Sequence, residues 1–525
     1  MQNNHTTKAS TEFSGAAQQL MMMEFSFLSF PILFTFLLFM FMLFKTNISS
    51  SSKLPPGPWK LPLIGNIPQF IGSLPHRRLR DLAIKYGPLM HLRLGQLSIV
   101  VISSAEYAKE VLKTHDIVFA SRPFNPTVNI IFENDIVLAP YGNYWRQLRK
   151  LCIMELLSVR RVQSFRPIRE EETSNLIKSI STHTESLINL SEKLFSITYS
   201  ITATAALGTK FHGQEEFISL IREALEIAGG FTFADLFPSV KMLAVITGLR
   251  PRAEKVHRKL DMILTTVIEE HKARQMAKQT GDGETDNEDL VDVLLKVQEE
   301  GNLEIPLTTT NIQSVILDMF SGGIETSATT LIWAMSELLK NPRVMEKAQA
   351  EVRHVSCQKG HILNEDDLHE LTYLKLVIKE TLRLHTPLPF LVPRESRERC
   401  EINGYEIPAK TQVLVNSWAI SRDPENWRDP ESFVPERFLD SSIDYKGTHF
   451  QYLPFGAGRR VCPGMSFGMA SVELPLANLL YHFDWKLPER EKQEDLDMTE
   501  ACGATISKKR DLCVIPIAYT PSIGE

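Results

Sequence analysis

Cys462 sits in the run FGAGRRVCPG, residues 455–464, in a chain that has 6 cysteines among 525 residues. A buried structural cysteine needs no frame of glycines and arginines, and a disulfide cysteine needs a partner at a suitable distance. Glycine lets a backbone turn sharply and approach another body closely. The frame therefore reads as one that presents a sulfur to something large and flat. Phe455, Gly458, Arg460, Cys462 and Gly464 form the pattern FxxGxRxCxG. On average residue usage, five fixed positions recur by chance on the order of once in ten thousand chains of this length.

Composition excludes several other classes. At 43% hydrophobic and 23% charged residues, the chain is an ordinary globular protein with enough apolar residues for a large core. A net charge of −6 lacks the basic excess of a general nucleic-acid binder, so no nucleic-acid partner is expected. Cys152, Cys357, Cys400, Cys502 and Cys513 are scattered and form no CxxC pair. That argues against a zinc ribbon or a thioredoxin-type site and for a reducing compartment.

Residues 25–44, FSFLSFPILFTFLLFMFMLF, carry no charge. As a helix this stretch spans roughly 30 Å, the thickness of a bilayer's hydrocarbon core. It is long for a signal peptide's apolar region and no small-x-small cleavage site follows, so it reads as a retained single-pass anchor. Glu24 precedes it and Lys45, Lys53 and Lys60 follow, which places the body in the cytosol. On that topology the sequons at Asn47 and Asn189 stay unglycosylated. Residues 1–24 form a polar lead, and translation starting at Met21, Met22 or Met23 leaves a compact anchor. Residues 45–68 are a proline-rich hinge, a stiff spacer that also orients the body on the membrane.

Residues 69–525 show no second linker and no repeat. Amphipathic periodicity predicts helices over 103–114, 143–158, 168–190, 252–278, 307–340, 342–354, 366–384 and 464–482. Period-two runs over 90–103 and 400–418, and a β-branched run at 511–519, predict a small sheet. The acidic stretch 280–289 reads as a solvated loop. The expected fold is mainly α with a minor β region.

Within the long helix, DMFSGGIETSATT (318–330) sets two glycines in mid-helix, each disfavoured by roughly 1 kcal/mol relative to alanine. Glu325 follows among Met319, Phe320 and Ile324. ETLR (380–383), FVPERF (433–438) and WRQLRK (145–150) are each weak taken alone, since Glu/Arg and Trp/Arg pairs are common on helix faces.

Taken together and in this order, these motifs resemble the cytochrome P-450 family of haem-thiolate monooxygenases. The likeness covers almost the whole chain, including DMTEACGATISKKRDL (497–512). It lies nearest the plant microsomal branch and its terpenoid-oxidising groups, casbene-type diterpene oxidases among them. The resemblance implies a haem whose iron takes Cys462 as axial thiolate. Phe455, Gly458 and Gly464 shape its loop, and Arg460, Trp145, Arg149 and Arg394 meet the haem propionates. Thr326 is implied as the hydroxyl that hydrogen-bonds dioxygen, with Glu325 as its neighbouring acid. Glu380, Arg383 and Arg437 are implied as a buried ionic network that locks the core. Gly322, Ile324 and Glu325 depart from the commonest form of the groove without removing the acid and hydroxyl, and Cys502 stands where phenylalanine is usual.

The reaction implied inserts one oxygen atom from O2 into a hydrophobic small molecule, with electrons from NADPH through a membrane-bound NADPH–cytochrome reductase. Basic residues Arg146, Arg149, Lys150 and Arg459 are expected to steer that acidic partner. The location implied is the endoplasmic reticulum membrane, with the catalytic domain in the cytosol. Apolar pocket candidates are 124–137, 231–237, Val315, Met319, 388–392, Ala504 and Thr505. Two other readings stand beside this one. A haem-thiolate isomerase or dehydratase acting on hydroperoxides needs no acid–hydroxyl relay, so Glu325 and Thr326 argue against it. A non-catalytic haem-binding protein is separated by reductase-dependent NADPH consumption.

Overall fold

The computed structural model describes residues 34–36, 53–132, 134–208, 213–229, 232–279, 288–360, 363–488 and 492–520. Apart from 34–36, the expected anchor lies outside the described residues, as do the polar lead and most of the acidic loop. Among the described residues no helix is long and apolar enough to cross a membrane.

The period-two run near residue 90 forms a hairpin, Leu89–Leu94 against Leu97–Ile102, turned at Gly95 with φ +60°. The strand Gln412–Val415 pairs parallel to its second arm, with Ile99 opposite Gln412. Arg394–Glu395 closes that four-stranded sheet. The proline-rich segment from residue 53 onward lies along the sheet edge. His91 donates its backbone N–H to the Pro56 carbonyl (2.9 Å) and Gly65 bridges to Leu94. Prolines suit an edge because they need only accept. Gly57 is required there, since a Cβ would lie 2.1 Å from the His91 carbonyl oxygen.

Helices make up the rest. At their centre lie two consecutive helices, Thr309–Gly323 and Glu325–Lys340. Thr308 caps the first, accepting from Asn311 N (3.2 Å). Asn341 and Pro342 end the second, and proline then opens the helix Pro342–Lys359. Leu190–Leu207, Thr372–Leu384 and Met465–His482 pack around this central pair. Several expected helices differ from their observed extent: the one predicted over 307–340 is the broken central pair, and the one predicted over 342–354 continues to Lys359. The one predicted over 168–190 runs over Arg166–Ser181, because Ile188–Asn189 pairs with the strand Cys513–Ala518. The one predicted over 366–384 becomes a short turn, Glu365–His369, and a helix, Thr372–Leu384.

Candidate active site

The FGAGRRVCPG loop packs between the sheet and the N-terminus of the helix Met465–His482. Cys462 donates its backbone N–H to the Phe455 carbonyl (2.9 Å), closing the loop. The Cys462 sulfur lines a cavity of about 940 Å³. Burial pushes its thiol up, while the Gly464 backbone N–H and the Arg149 charge act in the opposite direction and favour the thiolate. Gly456 takes φ +70° and, like Gly464, faces the cavity. Gly458 takes φ +69°, as a loop-shaping glycine should. Its Cβ would lie 2.1 Å from the Leu112 carbonyl oxygen, so this glycine brings the loop against a neighbouring helix.

Arginines ring the same cavity. Arg460 is buried, with Nε donating to Ala120 O (2.8 Å), Nη1 to Ile136 O (3.3 Å) and Nη2 to Ala139 O (2.5 Å). Its guanidinium lies 4.1 Å from the centroid of the Trp145 ring. Trp145 commits its indole N–H to Ile136 O (3.0 Å), so it acts here as the platform for Arg460. Arg149 donates to Val461 O (2.5 Å), and Arg394 bridges Asp116 Oδ1 (2.9 Å) and Ala457 O (2.9 Å). Arg122, which sequence reading missed, donates to Val137 O (2.9 Å) and Pro393 O (2.8 Å). Burial, then Arg394 and Arg149, pull Arg460 down to about 9. Burial and the other three arginines likewise pull Arg122 well below the usual guanidinium range. Four cations gathered round one cavity, with Asp116 pairing Arg394, call for an anionic ligand.

Across the cavity the central helix breaks at Ile324. Thr326 Oγ1 donates to the Gly322 carbonyl (2.6 Å), across the break. A Cβ on Gly322 would meet nothing within 4 Å, so the break opens onto free space. Glu325 does not hydrogen-bond to Thr326. Its Oε1 accepts from Thr505 Oγ1 (2.5 Å), on the loop between Glu500–Cys502 and Ile506–Lys508. Burial pushes the Glu325 carboxyl up, against the pull of Thr505 and Arg222.

Most of the remaining wall is apolar, with Val128, Phe132, Met319, Phe390, Leu391 and Val392 among its residues, and Asp135 and Asp318 also face it. Val315 corrects the expected pocket list, since it faces the core, fully buried and off the cavity. Phe233 points outward to solvent, and Phe231 lies outside the described residues.

Glu380, Arg383 and Arg437 converge away from the cavity. Glu380 accepts from Arg383 Nε (2.7 Å) and Nη2 (2.9 Å), from Arg437 Nε (2.9 Å) and from Val434 N (2.8 Å). Arg383 also donates to the carbonyls of Ser421, Pro430 and Ser432. Nearly every donor and acceptor in this cluster is matched, as burial requires.

A mainly helical body that turns a thiol and a ring of arginines toward one apolar cavity is the architecture of a haem-thiolate oxygenase. The cytochrome P450 family model matches residues 55–514, and the chain belongs to that family. It is 52% identical over 500 residues to a premnaspirodiene oxygenase of Hyoscyamus muticus, covering 94% of this chain and 99% of that protein. It is 55% identical over 495 residues to a desmethyl-deoxy-podophyllotoxin synthase of Sinopodophyllum hexandrum, covering 93% and 97%. It is 51% identical over 502 residues to a 5-epiaristolochene 1,3-dihydroxylase of Nicotiana tabacum, covering 94% and 99%. The protein is therefore a cytochrome P450 monooxygenase, an oxidoreductase that uses haem, dioxygen, a small-molecule substrate and a redox partner. The residues fit that cofactor, because a thiol and an excess of buried guanidiniums answer a metal and carboxylates on one flat group.

Proposed function

We propose that this chain is a membrane-anchored monooxygenase that hydroxylates a terpenoid, with a casbene-type macrocyclic diterpene as the specific candidate. The observation that carries the reading is the meeting of the Cys462 thiol and the Thr326 hydroxyl on one apolar cavity. When bound, the haem supplies the metal chemistry that activates dioxygen for insertion of one oxygen atom. Cys462 is the residue that holds the metal, with its sulfur steadied by the Gly464 N–H. Arg122, Arg149, Arg394 and Arg460 hold the cofactor's carboxylates, and Trp145 keeps Arg460 in place. Thr326 holds a proton at Oγ1 beside the helix break, and Glu325, set by Thr505, is the nearby acid that replenishes it. The apolar wall excludes water and orients a hydrocarbon by shape.

Support for a terpenoid comes from the relatives named as premnaspirodiene oxygenase and 5-epiaristolochene 1,3-dihydroxylase. The electrons come from NADPH through a membrane-bound cytochrome reductase. Arg146, Lys150 and Arg459 support its docking, being exposed near the cysteine loop, whereas Arg149 turns inward. Residues 25–44 anchor the protein in the endoplasmic reticulum membrane with its body in the cytosol. Exposed Trp59, Leu63, Ile71, Met242, Val245 and Ile246 support contact of the body with a lipid surface. The test is incubation of microsomes containing the protein and its reductase with a terpene panel and NADPH. NADPH-dependent hydroxylation of a terpene is expected, and turnover of phenolic acids with no response to any terpene overturns the substrate class.

A further inference from the structure

Two acids line the cavity, and the mechanism above does not use them. Asp135 lies on the loop 134–139 and Asp318 on the helix Thr309–Gly323. Both are buried, 1% and 4% exposed. Each spends one oxygen on the loop's own backbone. Asp135 Oδ1 accepts from Leu138 N (2.7 Å), and Asp318 Oδ2 accepts from Ile136 N (2.7 Å). The other oxygens, Asp135 Oδ2 and Asp318 Oδ1, are buried and find no donor among the described residues. The two carboxyls lie within hydrogen-bonding reach of each other. Ionised carboxylates can only accept, so this contact requires a proton between them.

The loop they hold is also gripped from its far side. Ile136 O takes the Trp145 indole N–H and Arg460 Nη1, Val137 O takes Arg122 Nε, and Ala139 O takes Arg460 Nη2. Acids thus bind the loop's N–H groups and arginines bind its carbonyls. Ile136, Val137 and Leu138 meanwhile line the cavity.

We propose that Asp135 and Asp318 are positioning residues that share one proton as a clasp, fixing the loop 134–139 against the central helix, and that loss of this proton frees the loop. The charged and titratable groups around the clasp are Arg122 and Arg460, which attract Asp135, and Tyr144 and Cys152 on the neighbouring helix. Burial pushes both of the latter up, so they stay neutral and supply no counter-charge. Burial also pushes Asp135 up to about 7 and Asp318 well above the usual carboxyl range. An acid whose closed-state pKa lies above its open-state value favours the closed form at low pH and loses that advantage as pH rises. While the closed loop holds one proton that the open loop lacks, each pH unit shifts the equilibrium about tenfold toward opening.

The variant Asp318→Asn separates a shared proton from simple packing. An amide at this position accepts from Ile136 N and donates to Asp135, reproducing the protonated acid without a proton to lose. The experiment is hydrogen–deuterium exchange on the full-length holoprotein, following the 134–139 segment between about pH 6 and 8.5 with intrinsic exchange corrected. In the native protein, protection should fall about tenfold per pH unit, and in Asp318→Asn it should stay level and high. Asp135→Asn, which donates to Asp318 in mirror fashion, gives the same contrast should the first variant fail to load haem. A pH-independent native protein, or a variant whose protection falls as steeply as the native one, overturns the proposal.

Discussion

The Arg460 guanidinium rests 4.1 Å from the Trp145 ring centroid, and both side chains donate to one acceptor, the Ile136 carbonyl. This shared arrangement joins the cysteine loop, the helix Asn143–Leu151 and the cavity loop at a single point. Replacing Trp145 with alanine removes the platform and is expected to cost about 3–5 kcal/mol of stability. Trp145→Phe keeps a ring but loses the donor, so its haem-to-protein ratio after gel filtration should fall between those of the native protein and Trp145→Ala. Full haem retention in Trp145→Ala removes the residue from cofactor binding.

Cys462 is tested by its spectrum. Carbon monoxide added to the reduced protein should give the strongly red-shifted Soret band of thiolate-ligated haem, and Cys462→Ala should lose that band. Its survival in Cys462→Ala would refute the ligand assignment.

Thr326→Ala should fold, bind haem and accept electrons. NADPH consumption should continue while product falls and hydrogen peroxide appears. Losing a positioned proton-transfer group typically costs about a hundred- to ten-thousand-fold, with a smaller loss where water or Glu325 substitutes. Thr326→Ser should keep most of the product formed per NADPH. An unchanged ratio in Thr326→Ala leaves this threonine a packing residue only.

Thr505→Val keeps the shape of the side chain and removes the donor to Glu325. Because that hydrogen bond holds the Glu325 carboxyl down against burial, its loss should push the carboxyl further up. The inflection that Glu325 gives to the pH profile of product per NADPH should move to higher pH and return in Thr505→Ser. An inflection that does not move detaches Thr505 from the acid's function.

Glu380→Ala strands Arg383 and Arg437 in the interior. Breaking such a buried pair costs about 3–5 kcal/mol, so thermal unfolding should shift sharply downward. Arg383→Lys should not recover it, because an ammonium cannot reproduce the fork that meets Glu380 and three backbone carbonyls. A native-like unfolding temperature in Glu380→Ala would show the network to be dispensable.

The class of this protein was legible in residues that act within a short span. Cys462 lies within eight residues of both Phe455 and Gly464, and a loop of that length states its own geometry through its glycines. The Glu380/Arg383 pair and the glycines Gly322 and Gly323 were visible as local features, but the network and the helix break came only from the family resemblance. Contacts across the chain were not legible. Thr505 reaches Glu325 over 180 residues, Asp318 meets the 134–139 loop from a similar distance, and Arg122 joins the arginine ring from a segment with no motif. Val315 was misread because periodicity assigns a residue to an apolar face without saying whether that face meets core or cavity. The close approach at Gly458 was visible in the glycine, but the body it approaches, the Leu112 carbonyl, was not. Local sequence thus determined which groups are proposed for the chemistry, since spacing along a loop or helix turn sets their reach. Tertiary packing alone decided which of them share a hydrogen bond, a charge or a proton, because those energies depend on separation in space and on the water excluded between them.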